Sequence, residues 1–390
     1  MFNRTGALIC GKLSDMFGRK RIMSITTLIL LLSAIGAALA TNKWLFLLAR
    51  SIAGACIGAN FATIVVYSTE FSPSSHRMIG PLVSIMGSYS SMLLINVMGY
   101  LFLNSIGWRW LIVIITIPTV PAFILLLMMP ESPRYLCVSG KTKEAEKAVR
   151  RIADINNKEL PESMTIFCAQ SDELGSFSVI YKSETLRRPC ILLAIKYFSN
   201  ILIETGILVF LPLAFSSNYC GSDHGQMPAR ARCQPLSQQD LWMLSGSAIG
   251  SLVGCMAAYF TAVKIGRLSP LRVGNMVQLP TFILMFFCMS SWYLFGVATA
   301  IKIINAFLCM MIWIIVPESF PTMIRNTATG FVNSSGKFGA VTGTALVYLL
   351  FYKSPTAVVC CFLLASLLST VCSFLLKKDT SHVMLTETVE

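Results

Sequence analysis

The chain has 390 residues, 55% hydrophobic and only 13% charged, with a mean hydropathy of +0.69. Soluble domains carry about 25% charged residues, so a water-soluble globule is excluded in favour of a polytopic membrane protein, each span of which needs about 20 apolar residues. The formal net charge of +13 would suggest a nucleic-acid partner for a soluble protein, but here it follows the alternation of loops and excludes nothing about the bilayer.

The opening stretch MFNRTGALIC has a basic residue but no long hydrophobic core or small-residue cleavage site, so it reads as the tail of a span rather than a signal peptide. Next comes GKLSDMFGRKR, Gly11–Arg21, which sets four basic residues and one aspartate among two glycines. Ten full-length apolar segments are predicted near 22–40, 45–67, 79–103, 111–129, 190–214, 241–263, 272–291, 293–316, 327–352 and 354–376. They divide the chain into an N-terminal transmembrane half (1–129), a polar central loop (130–188), a C-terminal transmembrane half (189–376) and a tail (377–390). In the central loop Ala145, Ala148, Val149, Ile152 and Ile155 recur at helical spacing, which predicts a short amphipathic helix.

If the sides of the membrane alternate along the chain, the side holding Gly11–Arg21 carries 21 of the Lys and Arg residues and the other side five, with five more inside apolar segments. That asymmetry is the positive-inside rule and makes the basic side cytoplasmic. Most of the 13 cysteines lie singly within spans, where a thiol packs as a small hydrophobe. Cys220 and Cys233 share the exterior loop 215–240 and are candidate disulfide partners, a pairing that sequence leaves open.

The chain repeats itself. EFSPSSHR (Glu70–Arg77) matches ESFPTMIR (Glu318–Arg325), both E-x-x-P-x-x-x-R, at a displacement of 248 positions. The same displacement carries Gly18 and Arg19 onto Gly266 and Arg267, and Glu131 onto Asp379. Two parallel halves of similar topology follow, an arrangement in which transporters place their substrate site near the bilayer midplane.

These motifs resemble the major facilitator superfamily. GKLSDMFGRKR is similar to its loop signature G-x-L-x-D-r-x-G-R-k, with Met16 where a basic residue is usual. RSIAGACIG from Arg50 resembles its fourth-span signature, and PESPRYL resembles the PESPRWL of sugar and organic-ion transporters. GWRW (Gly107–Trp110) and the exterior loop ending in LSQQDLW look closest to the synaptic-vesicle-protein-related, SVOP-like branch. The resemblance covers essentially the whole chain. It implies an all-α membrane fold of two six-helix halves, here about ten full spans plus a remnant of span two. A loop of this kind belongs between spans two and three, so the resemblance also implies that roughly one and a half spans are lacking ahead of residue 11.

In such proteins the repeated loop charges latch the halves together on the cytoplasmic side. The corresponding gate comprises Gly11, Asp15, Gly18, Arg19, Arg21, Glu70, Arg77, Glu131 and Arg134 in one half, with Gly266, Arg267, Glu318 and Arg325 in the other. The plainer reading is that Lys and Arg only set topology, but the paired acids at fixed spacing favour a gate. Val263 stands where the counterpart of Asp15 would fall, which predicts a weaker or one-sided second latch.

Ionisable groups inside spans mark a substrate or coupling site, since each costs roughly 2.5–3.5 kcal/mol at the bilayer centre. Arg50, Lys196, Glu204, Lys302 and Lys337 are the candidates, with Arg50 and Lys302 also near enough to the exterior to snorkel. Lys196 and Glu204, eight residues apart, can face one cavity, and Glu204 is expected to pair with Lys337 or Lys196. Asn60, Tyr67, Tyr89, Asn96, Tyr197, Asn200, Gln278, Trp313 and Asn333 are further polar or aromatic candidates for that cavity, or for interhelical packing.

No Ser/His/Asp or Cys/His arrangement, Walker loop or metal-ligand cluster appears in the sequence. The sequence therefore supports neither an enzyme nor an ATP-driven pump, and implies no cofactor. The expected function is secondary-active or facilitative transport of a small organic solute, an organic ion among the options, with or without a coupling ion. The expected place is a plasma or vesicle membrane. A transporter-shaped protein that binds or traffics without moving solute is the rival from another class, and a truncated inactive product a third.

Overall fold

The computed structural model describes residues 11–72, 79–159, 177–216, 238–287, 290–321 and 324–376. Within them the regular structure is helical throughout: α1 (11–17), α2 (Arg19–Leu39), α3 (Lys43–Phe71), α4 (Ile79–Thr116), α5 (Thr119–Met128), α6 (Pro133–Val138), α7 (Thr142–Ile155), α8 (Phe177–Lys182), α9 (Glu184–Ser216), α10 (Gln238–Ile265), α11 (Leu268–Leu284), α12 (Ser291–Glu318), α13 (Arg325–Leu350) and α14 (Pro355–Leu375).

Polar caps start several of these helices. Asn42, Ser132, Ser290 and Ser354 each accept a hydrogen bond from a backbone N–H two or three residues on, and Pro133 and Pro355 occupy the first helical position. Gly107, at φ 78°, interrupts the helical geometry of α4, and apolar stretches run from Ile79 to Gly99 and from Ser105 to Met128. The second of these continues through the short junction at Ile117–Pro118 into α5, none of whose residues is buried.

Eight stretches of the described helices are long and apolar enough to cross a membrane. Two of the ten segments expected from sequence fall outside that set for physical reasons. Helix α11 is only 17 residues long. Helix α13 has 26 residues, but its buried face is polar, with Asn326, Thr327, Thr329, Asn333 and Ser334 turned into protein. Many large apolar side chains elsewhere point outward, Leu39 at 73% and Leu364 at 64% exposure among them. An outward apolar surface beside a polar buried helix is the inverse of a soluble fold and matches a bilayer.

Helices α2 to α5 pack among themselves, as do α9 to α14. The two groups meet through α13 against α3 and through α10 against α4. A close seam runs between α9 and α13, where a Cβ at Gly339 would stand 2.3 Å from the Phe198 carbonyl oxygen and one at Gly343 2.3 Å from that of Leu202. Only hydrogen fits at that spacing. One apolar core surrounds the fully buried Trp313, and a second surrounds Phe210, Phe351 and Phe362.

In the central loop, α7 takes up the amphipathic pattern and seats Ala145 and Ala148 against Tyr135 and Leu136 of α6. Ile155 departs from the expectation: it is exposed, and Ala153 is buried in its place.

Candidate functional site

The loop charges assemble on the basic side. Gly18 adopts φ 104°, a region open to glycine alone in practice, and turns the chain sharply from α1 into α2. Glu131 Oε1 then accepts the backbone N–H groups of Arg19 and Lys20, each at 3.0 Å, so its carboxylate caps the start of α2. A Cβ on Gly18 would collide with the other oxygen of that carboxylate. Arg19 lies across the Tyr135 ring at 4.6 Å, and the Tyr135 hydroxyl donates to the Met16 carbonyl at 2.8 Å.

Arg19 Nη2 lies 3.2 Å from both Asp15 Oδ1 and Glu70 Oε1, with all three side chains fully buried. Arg325 Nη1 approaches the same Glu70 oxygen at 3.6 Å. Asp15 also bonds from one helix group to the other: its Oδ2 accepts the Thr327 backbone N–H at 2.8 Å and the Thr327 hydroxyl at 2.7 Å. Asp15 and Thr327 are 312 residues apart, and both sit at the close approach of α1 to α13, where a Cβ on Gly11 would lie 2.9 Å from the Asn326 carbonyl oxygen. Burial pushes the Asp15 carboxyl up to about 6, against the opposing pull of Arg19 and Thr327. Burial likewise draws Arg325 down to about 10, which leaves it charged.

The internal repeat recurs as geometry. Arg267 and Glu318, each 248 positions beyond Arg19 and Glu70, form a two-pronged pair at 3.2 and 3.3 Å. Gly266 takes φ 102° beside the 104° of Gly18. The second pair is less enclosed, with side-chain exposures of 13% and 8% against zero in the first. Where Asp15 joins the first cluster, Val263 is 53% exposed and offers no acceptor. Arg21 is exposed, and neither it nor Arg134 forms an ion pair among the described residues, although Arg134 acts on Arg325 by charge. Arg77, Cys220 and Cys233 lie outside the described residues.

A second polar group occupies the middle of the spans. Glu204 Oε2 accepts from Tyr89 of α4 at 3.4 Å and from Asn305 of α12 at 3.3 Å. Asn305 also holds Gln278 of α11 at 3.2 Å and exchanges two 3.3 Å bonds with Asn200 of α9. Lys302 and Lys337 both act on Glu204 by charge, yet neither forms an ion pair with it within 4 Å. Lys302 instead donates to Ser247 at 2.9 Å, and Lys337 lies 6.0 Å from the centre of the Phe61 ring. Phe61 and Tyr197 stack edge-on against Trp313 at 4.9 and 5.2 Å.

Lys196 belongs to a different neighbourhood. It is fully buried and donates to Asn275 at 2.9 Å and to the Ser369 hydroxyl at 3.0 Å, between α9, α11 and α14, so the expected Lys196–Glu204 pairing does not form. About 80° of helical rotation separates the two positions, enough to turn one into the bundle and the other toward α4. Arg50 is exposed and forms no ion pair among the described residues. Asn60 is bound within the first group by Thr26 and Thr27, and Tyr67 donates to the Pro130 carbonyl. Asn333 donates to the Gly58 carbonyl at 2.8 Å, a further bond between the two groups.

Thr327, Tyr135, Asn305 and Ser247 were not foreseen. Asn305, a lone amide within the apolar run KIINAFL, carried a legible signal, whereas Thr327 looked like any first-turn threonine. Among the described residues no group of three metal-ligating side chains occurs.

A bundle of apolar-faced helices, with paired charge clusters at one end and ionisable groups at mid-span, defines a multi-pass membrane protein of the transporter class. Residues 3–210 match the sugar (and other) transporter family, and the chain belongs to that family. It is 27% identical to the arabinose-proton symporter of Bacillus subtilis, over 83% of this chain and 70% of the relative. It is 24% identical to the putative transporter SVOPL of Danio rerio, over 96% of this chain and 75% of the relative. Its fold is that of the major facilitator proton:xylose symporter XylE of E. coli, at a TM-score of 0.70 and 17% identity, covering 97% of this chain and 85% of the other. Family and fold together assign an integral multi-pass membrane protein that carries small solutes rather than an enzyme.

Proposed function

We propose that the chain moves a small organic solute by alternating access between two halves, and that the arrangement described here is the one closed on the basic side. The observation that carries this reading is the bond from Asp15 to Thr327, which ties α1 to α13 at one end of the bundle. Glu70 serves both Arg19 of its own half and Arg325 of the other, so the tie is a charged network rather than an apolar seam. Such a network is a suitable latch because water replaces its bonds on opening, so breaking it costs far less than exposing a core.

Glu204, Lys302 and Lys337 form the substrate or coupling site. Two cations act on one carboxylate without pairing to it, which favours a solute with an anionic or zwitterionic group. The carboxylate already holds Tyr89 across the halves, so a proton or solute group that takes up Glu204 also loosens a contact between α9 and α4. The relative named as a proton symporter supports proton coupling, and Glu204, the buried acid at mid-span, is the group we assign to it. Counterflow in proteoliposomes tests the reading with sugars and organic anions as probes. Glu204→Gln and Lys337→Ala should each lower exchange at least tenfold and flatten its pH dependence. Native rates in both variants across pH would sink the assignment, and saturable binding without exchange would sink transport itself.

A further inference from the structure

A groove of about 530 Å³ lies away from the central charges, lined by Ile191, Ala194, Phe198, Phe331, Phe338 and Leu368 among others. Its origin is simple. Helices α13 and α14 both pack along α9 but scarcely touch each other, so a strip of α9 is left as a floor between two walls. Ile191, Phe338 and Leu368 are 47%, 44% and 46% exposed, so the groove opens sideways from the bundle. The lining is almost wholly apolar, and the Ser335 hydroxyl is already spent on the Ala194 and Val332 carbonyls.

Position and charge indicate the occupant. The floor runs from Ile191 to Phe198, about 10 Å of helix, which begins about 10 Å inside the first residue of α9 on the basic side. That depth falls within one leaflet of a hydrocarbon core about 30 Å thick. Arg188, Ile191, Ile195 and Phe198 follow one another at steps of three and four, so a single face of α9 carries apolar floor and, one turn outward, an arginine. Arg187, four residues before Ile191, shares that turn and lies 5.7 Å from the centre of the Tyr181 ring. Lys182, Arg187 and Arg188 outweigh the single acid Glu184 at this mouth, and none of these charges forms an ion pair among the described residues.

We infer that this groove binds one anionic glycerophospholipid of the basic-side leaflet, with an acyl chain on the floor of α9 between α13 and α14 and the phosphate at Arg187 and Arg188. A zwitterionic lipid brings the same phosphate with a cation beside it, so only a net-negative headgroup neutralises the surplus of arginines and lysine at the mouth. The inference does not depend on the solute, so it stands or falls apart from transport.

Native mass spectrometry of the full chain in detergent tests it, with phosphatidylserine and phosphatidylcholine of identical chains as probes. One phosphatidylserine should be retained at least tenfold more tightly than phosphatidylcholine. R187Q/R188Q, a change at exposed or half-exposed positions, should erase that preference while leaving the thermal midpoint in place. Photolysis of phosphatidylserine bearing a diazirine on its acyl chain should label the peptides around Ile191–Phe198, Phe331–Phe338 and Leu368. Equal retention of the two lipids, an unchanged preference in R187Q/R188Q, or labels spread evenly around the bundle would each overturn the site. So would labels absent from the groove because another stretch of this chain or a second copy covers it.

Discussion

Removal of one hydroxyl should measurably open the gate. Thr327→Val is nearly isosteric and deletes the 2.7 Å O–H bond to Asp15 Oδ2, but keeps the 2.8 Å backbone N–H. A hydrogen bond to a charged partner contributes about 1.5–3 kcal/mol, and each 1.4 kcal/mol is tenfold in an equilibrium. The ratio of basic-side-closed to basic-side-open molecules should therefore fall by roughly 10- to 100-fold. Spin labels at Arg21 and Lys264, both exposed and on opposite halves, report that ratio as a distance distribution in a cysteine-reduced background. Thr327→Ser retains the hydroxyl and should behave as the native chain. If Thr327→Val leaves the distribution equal to that of Thr327→Ser, the Asp15–Thr327 bond is not what holds this end shut.

The same labels should reveal a pH dependence. Asp15 is raised by burial from 3.8 to about 6, so the closed arrangement retains a proton that a solvated carboxyl releases. Its favourable contribution is complete below about pH 4, is lost as pH rises through about 6, and amounts to about 3 kcal/mol; Asp15→Asn should remove the dependence. Glu70→Gln should cost about 3–5 kcal/mol because it leaves the buried Arg325 without its carboxylate and Arg19 with Asp15 alone. Glu318→Gln, at the less enclosed two-pronged pair, should cost less, about 1.5–3 kcal/mol, and thermal unfolding in detergent compares the two. In the same assay Gly339→Ala should be destabilised by about 1–3 kcal/mol or more against the Phe198 carbonyl. Gly296→Ala, where nothing lies within 4 Å of the added methyl, should gain up to about 1 kcal/mol.

The membrane class was legible because apolar length and loop charge are properties of composition and order alone. The repeat was legible because a 248-residue displacement needs no coordinates, and it foretold that Arg267 and Glu318 would stand to each other as Arg19 and Glu70 do. Partners across the halves were not legible. Nothing in the linear order connects Asp15 to Thr327, since their meeting depends on the approach of α1 to α13 at Gly11. Lys196 shows the limit from the other direction. A lone lysine in a span announces a functional site by its cost, yet Asn275 and Ser369 accept it inside the bundle, and only the rotation of α9 decides which neighbourhood it enters.

The glycine seam between α9 and α13 has a mechanical consequence. Carbonyl oxygens lie so close to the opposing glycines that no methyl fits between them, which leaves little room for sliding, so the two helices are expected to travel as one plate. Glu204 rides on the first and Lys337 on the second, so their separation is a constant of the machine. Tyr89 and Phe61 belong to the other plate. Under the proposed alternating access, a solute held against this site would meet fixed charges on one wall while the aromatic wall moves.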